Sequence, residues 1–180
     1  MRHFTKLADS IDVVPILNAL AVRPDLWNEN TLRTTHPQSP HQQTDDIWCM
    51  FSPMIDDPEA VYDDCEVVPY RAWHEIPCLR PLIFELQRRV EGIRLGRVII
   101  SRLAPGKEIP EHVDGGAPAT YYNRYHLALQ SEPGAMNYSG GEAVCYRMGE
   151  LWAFDNRVEH SVVNNSADDR IMLIMDVRPC

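Results

Sequence analysis

The sequence predicts a mainly β protein with flanking helices, folded as a double-stranded β-helix, that is, a jelly-roll or cupin-like barrel. Before Gly92, apolar residues recur at helical spacing or are separated by long polar segments, whereas after Gly92 they alternate with a period of two. Glycine and Asn/Asp pairs typical of tight turns separate most of the short apolar segments that follow. Helices followed by many short strands favour two packed sheets with the helices on one outer face.

The first half of the chain is predicted to contain two helices, one strand and two loops. Residues 11–27 have a broad apolar face and form the first helix. Residues 28–46 are rich in Asn, Thr, His, Gln and Pro, which bury little surface, so we expect a long loop. An apolar strand follows at residues 47–51, and then an acidic, Pro-containing loop at residues 52–64. The clearest helix is residues 79–90, where apolar side chains recur at spacings of three and four.

The second half of the chain contains six segments with strand composition. They are residues 96–103, 121–129, 142–146, 151–154, 158–163 and 171–177. A chain of 180 residues is long enough for one well-packed domain and short for two. We therefore expect residues 1–180 to form a single domain. In it, residues 1–92 provide helical and loop support with substrate-facing loops, and residues 93–180 form the barrel core with the metal site described below.

Charge and cysteine content exclude several classes of protein. A net charge of −9 disfavours nucleic acid and anionic membranes as partners, since both repel an acidic protein. The five cysteines are odd in number and contain no CxxC pair, so neither a disulfide framework nor a zinc ribbon is predicted. With no signal-peptide pattern or apolar span, we expect a cytoplasmic protein with reduced thiols. The sequence does not indicate an oligomeric state.

The triplet at residues 112–114 together with His160 has the composition of a metal site. Residues two apart on a strand point to the same face, so His112 and Asp114 are expected to reach one point in space. His160 lies in another segment of strand composition and is the best candidate for a third ligand. Two imidazoles and one carboxylate leave three positions of an octahedral ion open, an arrangement typical of non-haem Fe(II) that also binds a co-substrate and dioxygen.

Basic residues near this triad predict a binding site for a diacid co-substrate. Arg170 begins the last predicted strand, where its planar guanidinium can pair bidentately with a carboxylate. Arg124 and His126 are two apart in a predicted strand, so they share a face that can bind a second carboxylate. Such polar and charged groups are costly to bury in an apolar β pattern unless a ligand satisfies them.

A series of positions in the second half of the chain matches a known pattern. The series is Ser101, His112-Val113-Asp114, Arg124-Tyr125-His126, Gly149, Phe154-Asp155, His160, Asn164 and Arg170. It closely resembles the aspartyl/asparaginyl β-hydroxylase family of Fe(II)- and 2-oxoglutarate-dependent oxygenases. The resemblance covers roughly the second half of the chain and is weaker in the first half.

The resemblance implies a role for each co-substrate residue. Arg170 and Ser101 are implied to bind the distal carboxylate of 2-oxoglutarate. Arg124 and His126 are implied to approach the carboxylate next to the keto group.

The resemblance also implies the metal ligands and the reaction. His112 and His160 are implied to bind iron, and Asp114 is a point of difference, because the best-known animal members lack a carboxylate ligand. Fe(II), 2-oxoglutarate and dioxygen are implied as cofactor and co-substrates, with succinate and carbon dioxide as products. The substrate implied is an unactivated C–H bond of a free amino acid, or of an Asp/Asn-type residue in an intracellular peptide or protein.

Three residues in the first half are candidates for contact with the substrate. Arg33 and His41 lie in the long polar loop, which can close over the metal, although a mobile surface loop explains its composition as well. Trp73 precedes the clearest helix and is a candidate for the entrance, although packing is the commoner role of a tryptophan.

Two other classes of protein carry similar patterns. A non-catalytic cupin-like protein that binds a metal or small molecule has the same barrel, but it does not need Arg170 and Ser101 and does not release succinate. A metal-independent β-sandwich interaction module leaves His112, Asp114 and His160 far apart in space.

Overall fold

The computed structural model describes residues 1–180 and contains eleven strands, six α-helices and one 3₁₀ turn. The strands are β1 (Phe4–Ala8), β2 (Thr44–Phe51), β3 (Val68–Pro69), β4 (Gly92–Leu103), β5 (Glu108–His112), β6 (Asn123–Gln130), β7 (Ala135–Ser139), β8 (Glu142–Val144), β9 (Leu151–Phe154), β10 (His160–Asn164) and β11 (Arg170–Pro179). The helices are α1 (Val14–Val22), α2 (Leu32–Thr35), α3 (Pro58–Asp63), α4 (Arg71–Glu75), α5 (Leu79–Arg89) and α6 (Gly116–Tyr121), and the 3₁₀ turn is Pro24–Leu26.

The strands form two antiparallel sheets, as the predicted double-stranded β-helix requires. The large sheet has the order β1-β9-β6-β11-β4-β2-β3, and the small sheet has the order β5-β10-β7-β8. The N-terminal half contributes β1, which pairs with β9, and β2, which pairs with β4. Residues 1–92 therefore supply strands of the large sheet as well as the predicted helices and loops.

Alternation along β11 determines which side chains face the helices and which face the small sheet. One set of alternate residues packs against α1, α4 and α5: Ile171, Leu173, Met175 and Val177. Met172 and Ile174 belong to a second core, which Val144 of β8 joins from the small sheet. Because the side chains of a strand alternate, Arg170 and Asp176 share the face of Met172 and Ile174. Both charged residues therefore point between the sheets.

Four strands and four short helices were not predicted from the sequence: β1, β3, β5 and β7, and α2, α3, α4 and α6. β1 and β5 are edge strands, and their polar residues and Pro110 hide the strand pattern until a neighbour pairs with them. The predicted loop at residues 28–46 is wrong in part, since it contains α2 and the start of β2. The loop at residues 52–64 likewise contains α3. Short helices of this kind are stabilised by tertiary packing more than by local propensity.

The two predicted helices are present with adjusted ends. The first helix is α1, with a proline in its first turn, and it ends before Pro24, whose ring cannot continue a helix. The second is α5, which buries Leu79, Ile83 and Leu86 against the large sheet. None of the helices has the length and apolar character needed to cross a membrane.

Candidate active site

Two cavities meet between the sheets. The first, here called the inner cavity, is bounded by Ser101, His126, Asn137, Tyr146, His160 and Arg170. The second, called the outer cavity, has a volume of about 600 Å³ and is bounded by His36, Phe51, Glu59, Tyr62, Arg97 and Pro118. The residues that line both are Arg33, His41, His112, Asp114, Arg124 and Ile174. Two of the predicted metal ligands, His112 and Asp114, therefore lie where the two cavities meet, and the third, His160, lies in the inner cavity.

His112 and His160 are brought together by the pairing of β5 with β10. The two residues are directly opposite in the antiparallel register, and their ring centroids are 4.2 Å apart. In each ring Nδ1 donates to a backbone carbonyl, of Pro110 at 2.7 Å and of Val158 at 2.8 Å. This tautomer leaves both Nε2 lone pairs available for a metal. Burial lowers the pKa of His160, which favours the neutral ring.

Asp114 reaches the same point from outside the strand. β5 ends at His112, so the prediction that the two residues share a strand face is wrong. The backbone N–H of Asp114 instead donates to the carbonyl of Asn156, and Oδ1 lies 3.5 Å from Nε2 of His112. The three predicted ligands are thus neighbours in space, which contradicts the alternative of a β-sandwich with unrelated side chains.

The carboxylate of Asp114 is oriented by Arg124 and Asn156. Oδ2 accepts from Nη1 of Arg124 and from Nδ2 of Asn156. Burial acts to raise the pKa of Asp114, but the charge of Arg124 and the contacts with His112, His160 and His41 together outweigh it and hold that pKa well below its usual range. Asp114 is therefore ionised, as a metal ligand must be.

Arg124 lies between two carboxylates of the chain itself. Nε and Nη2 donate bidentately to Asp176 at 2.8 and 2.9 Å, while Nη1 donates to Asp114. Asp176 is 2% exposed. The predicted contact of Arg124 with 2-oxoglutarate stays a prediction, and these contacts favour a role in orienting Asp114.

A third imidazole approaches the same group. The ligand atoms of His41, His112 and Asp114 all lie within 4.8 Å of one another, and His160 is not part of this set. The His41 ring is 5.3 Å from that of His112 and nearly perpendicular to it. Its Nδ1 is buried without a hydrogen-bond partner, so no contact of that atom holds the ring in one orientation. Burial lowers the pKa of His41 well below its usual value, so this ring too is neutral.

The inner cavity ends at a buried cation without a counter-ion. Arg170 is 3% exposed, and Nη2 donates to the side-chain oxygen of Asn137 at 2.6 Å, while Nε has no partner. The hydroxyl of Tyr146 is also buried without a partner, and Ser101 lines the same cavity. Burial lowers the pKa of Arg170 to about 10, so the group is charged at neutral pH. Unpaired donors around a buried cation fit a carboxylate.

His126 lies beside Arg124 on β6 with its side chain in the inner cavity. Its Nδ1 is buried without a hydrogen-bond partner. Burial lowers the pKa of His126 well below its usual value, so the ring is neutral. A neutral imidazole can donate one hydrogen bond to a ligand in this cavity.

Two of the three predicted substrate residues lie in the site. Arg33 and His41 line both cavities, and Arg33 forms an ion pair with buried Asp46. The prediction that Trp73 lies at the entrance is wrong, because α4 packs on the helix side of the large sheet. There the Trp73 ring contacts Phe84, with centroids 6.4 Å apart.

Several residues of the site were missed in the sequence. They are Arg97, Asn137, Tyr146, Asn156 and Asp176. A detectable signal existed for two of them, since Arg97 precedes an apolar run and Asp176 interrupts one. The others are neutral residues without such a signal.

The donor set fits a divalent transition metal. Two imidazoles whose Nδ1 atoms contact backbone carbonyls, together with an ionised carboxylate, are ligands that suit iron, and His112 Nε2 is buried without a hydrogen-bond partner. No cysteine lines either cavity, so a thiolate site is excluded there. The residues present therefore fit both the metal and the carboxylate that the sequence analysis predicted.

Solved structures with a similar fold include oxygenases. A 2OG-Fe(II) oxygenase family oxidoreductase from Burkholderia pseudomallei is 13% identical, with a TM-score of 0.63, and the match covers 98% of this chain and 84% of that one. A prolyl-4-hydroxylase from Pseudomonas putida is 15% identical, with a TM-score of 0.56 and coverage of 99% and 94%. A viral collagen prolyl hydroxylase from Paramecium bursaria Chlorella virus-1, solved as a 2OG complex, is 11% identical, with a TM-score of 0.55 and coverage of 99% and 97%. At these identities the likeness concerns the fold.

The family itself follows from sequence. No curated protein matches the chain. The family model described as aspartyl/asparaginyl beta-hydroxylase matches residues 23–179, which is most of the chain and includes every residue that lines the two cavities. The chain therefore belongs to the aspartyl/asparaginyl β-hydroxylase family and is a 2-oxoglutarate-dependent hydroxylase.

Proposed function

We propose that this protein hydroxylates an unactivated C–H bond of a free amino acid, or of an Asp/Asn-type residue in a peptide or protein. The reaction uses Fe(II), 2-oxoglutarate and dioxygen, and residues 1–180 act as one catalytic domain. One observation carries the proposal: His112 and Asp114 line both cavities, His160 lies opposite His112 in the inner cavity, and that cavity ends at an unpaired arginine.

We assign the metal to His112, Asp114 and His160. The assignment of His160 rests on its position opposite His112 and on the Val158 carbonyl that fixes its tautomer. When bound, iron provides the site at which oxidative decarboxylation of 2-oxoglutarate to succinate activates dioxygen for insertion into the C–H bond.

The inner cavity binds the co-substrate in this proposal. The guanidinium of Arg170, with Ser101 beside it, binds the distal carboxylate, and Tyr146 offers its free hydroxyl. His126 lies near the carboxylate next to the keto group. Ile109, Val162 and Ile174 form apolar parts of the wall, and the ring of Phe154 packs edge-on against His160 with centroids 4.8 Å apart. Such walls exclude water from the reacting atoms.

The outer cavity receives the substrate. It borders His112 and Asp114 on the side away from Arg170, so a substrate there lies next to the metal without displacing the co-substrate. Arg33 and His41, which line both cavities, are positioned to contact the two ligands.

Anaerobic reconstitution with Fe(II) and 2-oxoglutarate, followed by addition of oxygen, tests this function. A screen of free amino acids and peptides is expected to find compounds that stimulate succinate formation, with hydroxylated product detected by mass spectrometry. Omission of iron, of 2-oxoglutarate or of oxygen should each abolish the product. A complete screen without stimulated succinate would contradict the proposed reaction.

Replacement of Asp176 by asparagine is expected to weaken metal binding by about 10- to 100-fold, the usual effect of losing a group that orients a ligand. Asp176 shares Arg124 with Asp114, and without it the guanidinium is neutralised by Asp114 alone. That carboxylate then binds the guanidinium more tightly and the metal less tightly. Titration with Co(II), followed by absorbance, measures the affinity without turnover.

A matched control for this variant is Asp45→Asn. Asp45 also forms a close pair with an arginine, Arg102, but it lies outside both cavities. Equal Co(II) affinity of Asp176→Asn and the unchanged protein would refute the orienting role.

A further inference from the structure

Arg97 is a second buried cation without a counter-ion. It lies on β4, is 9% exposed and lines the outer cavity, and it forms no ion pair. The other two arginines of that cavity are neutralised, Arg33 by Asp46 and Arg124 by two aspartates. The outer cavity therefore contains one cation that forms no ion pair with the chain, and the charge of Asp176 acts on it favourably from a longer distance.

Neutral groups fix the orientation of Arg97 without cancelling its charge. The two N–H groups of Nη2 are shared among three acceptors, the Ser52 hydroxyl at 2.9 Å and the carbonyls of Val61 and Tyr62 at 3.0 and 2.8 Å. The guanidinium carbon lies 4.4 Å from the centre of the Phe51 ring. Nε is buried and has no partner. Burial of a charge without an opposite charge is costly. An anionic group of the substrate that binds Arg97 would reduce this cost by acting as its counter-ion.

The strand places this cation on the substrate side of the metal group. Every second residue of β4 points to the same face, and this face carries Arg97, Ile99 and Ser101. Ser101 lines the inner cavity and Arg97 lines the outer one. Arg97 and Ser101 are four positions apart, so about 13 Å of strand separates them. The two unpaired arginines, Arg170 and Arg97, thus belong to different cavities, and each can bind one of two acidic molecules that meet at the metal.

Contacts around the rim favour a small molecule over a polypeptide. His36 contacts Glu59 of α3 at 3.1 Å, and the Tyr62 hydroxyl donates to the carbonyl of Leu32 at 3.1 Å. The carboxylate of Asp63 accepts from the backbone N–H of Ala117 in α6 at 2.6 Å. These contacts tie α2, α3 and α6 to one another around a cavity of about 600 Å³, a volume typical of small-molecule sites.

We infer that Arg97 binds the α-carboxylate of the substrate and that the substrate is a free amino acid. This inference rests on the proposed function and narrows it. Arg97 is a specificity-determining residue that contacts the substrate away from the bond that reacts. Its fork is held on one edge by the carbonyls at the end of α3, which leaves the rest of the guanidinium for a carboxylate.

The unchanged enzyme provides the first test. Each free L-amino acid is compared with its α-carboxamide and with an N-acetylated tripeptide that carries the same residue at its centre, including Asp and Asn. The active free amino acid is expected to have a KM about 10- to 100-fold lower than its carboxamide, the range expected for one charge-assisted pair. Equal KM values, or a preference for the tripeptide, would overturn the inference while the proposed reaction stands.

Arg97→Gln provides the second test, with Arg102→Gln as matched control. Arg102 lies on the same strand but outside both cavities. In Arg97→Gln the KM for the amino acid is expected to rise to that of the carboxamide, while the KM for 2-oxoglutarate stays unchanged. In Arg102→Gln both values stay unchanged. If Arg97 only stabilises the end of α3, its replacement lowers the unfolding temperature and leaves the preference for acid over amide intact, which would overturn the inference.

A binding measurement separates this inference from the proposed reaction. The metal-free protein is heated with each free amino acid at millimolar concentration, and the unfolding temperature is recorded. At least one amino acid is expected to raise it in the unchanged protein and in Arg102→Gln, but not in Arg97→Gln. Absence of any shift in the unchanged protein overturns the inference, whether or not succinate is formed. A shift without succinate supports the role of Arg97 and counts against the proposed reaction alone.

Discussion

Replacement of His112 by alanine is expected to abolish metal binding and to reduce substrate-stimulated succinate formation to the level measured without enzyme. His112 is at the centre of the metal group, because it contacts His160, Asp114 and His41. Its loss removes a ligand outright, so the effect on Co(II) affinity should exceed the roughly 10- to 100-fold expected for an orienting residue. Co(II) titration and succinate measurement report the two effects separately.

The same experiment identifies the third ligand. His160→Ala is expected to behave as His112→Ala does, because the Val158 carbonyl holds Nδ1 of His160 and leaves Nε2 for the metal. His41→Ala is the matched control and should bind Co(II) nearly as the unchanged protein does. The opposite result, with His41 required and His160 dispensable, would overturn our ligand assignment.

Replacement of Arg170 by alanine is expected to raise the KM for 2-oxoglutarate by about two orders of magnitude or more. Removal of one partner of a buried, hydrogen-bonded charge pair usually has an effect of this size. The variant should still fold, since a buried charge without a counter-ion contributes little to stability. Titration of succinate formation with 2-oxoglutarate gives the KM, and the KM for the amino acid should change little.

Arg170→Lys distinguishes charge from geometry at this position. Lysine retains the positive charge but not the planar fork, so its KM for 2-oxoglutarate should lie between those of the alanine variant and the unchanged enzyme. An unchanged requirement for 2-oxoglutarate in Arg170→Ala would contradict the role of this residue and would favour a different orientation of the co-substrate.

Part of the site was predictable because it depends on local patterns. The period of two at residues 171–177 already implies that Arg170 and Asp176 share one face, although only Arg170 was recognised as functional. The residue types of the metal group were recognised for a similar reason, since imidazole and carboxylate are ligands in any fold. The contacts that these residues make with one another were not predictable, and Arg124 is an example. Arg124 was expected to contact the co-substrate, yet the folded chain pairs it with Asp176, which is 52 positions away.

The sequence by itself determined the fold class, the two longer helices α1 and α5 and the residue types of the proposed metal ligands. It also indicated Arg170 as a basic residue that can bind a dicarboxylate. All of these follow from composition and from periodicity over a few neighbouring residues. Tertiary structure alone decided which imidazoles meet, where Asp114 enters the site and on which side of the sheet Trp73 lies. It also decided which arginines remain without a counter-ion. These features depend on strand register and on contacts between residues far apart in the chain, and such contacts leave no local pattern in the sequence.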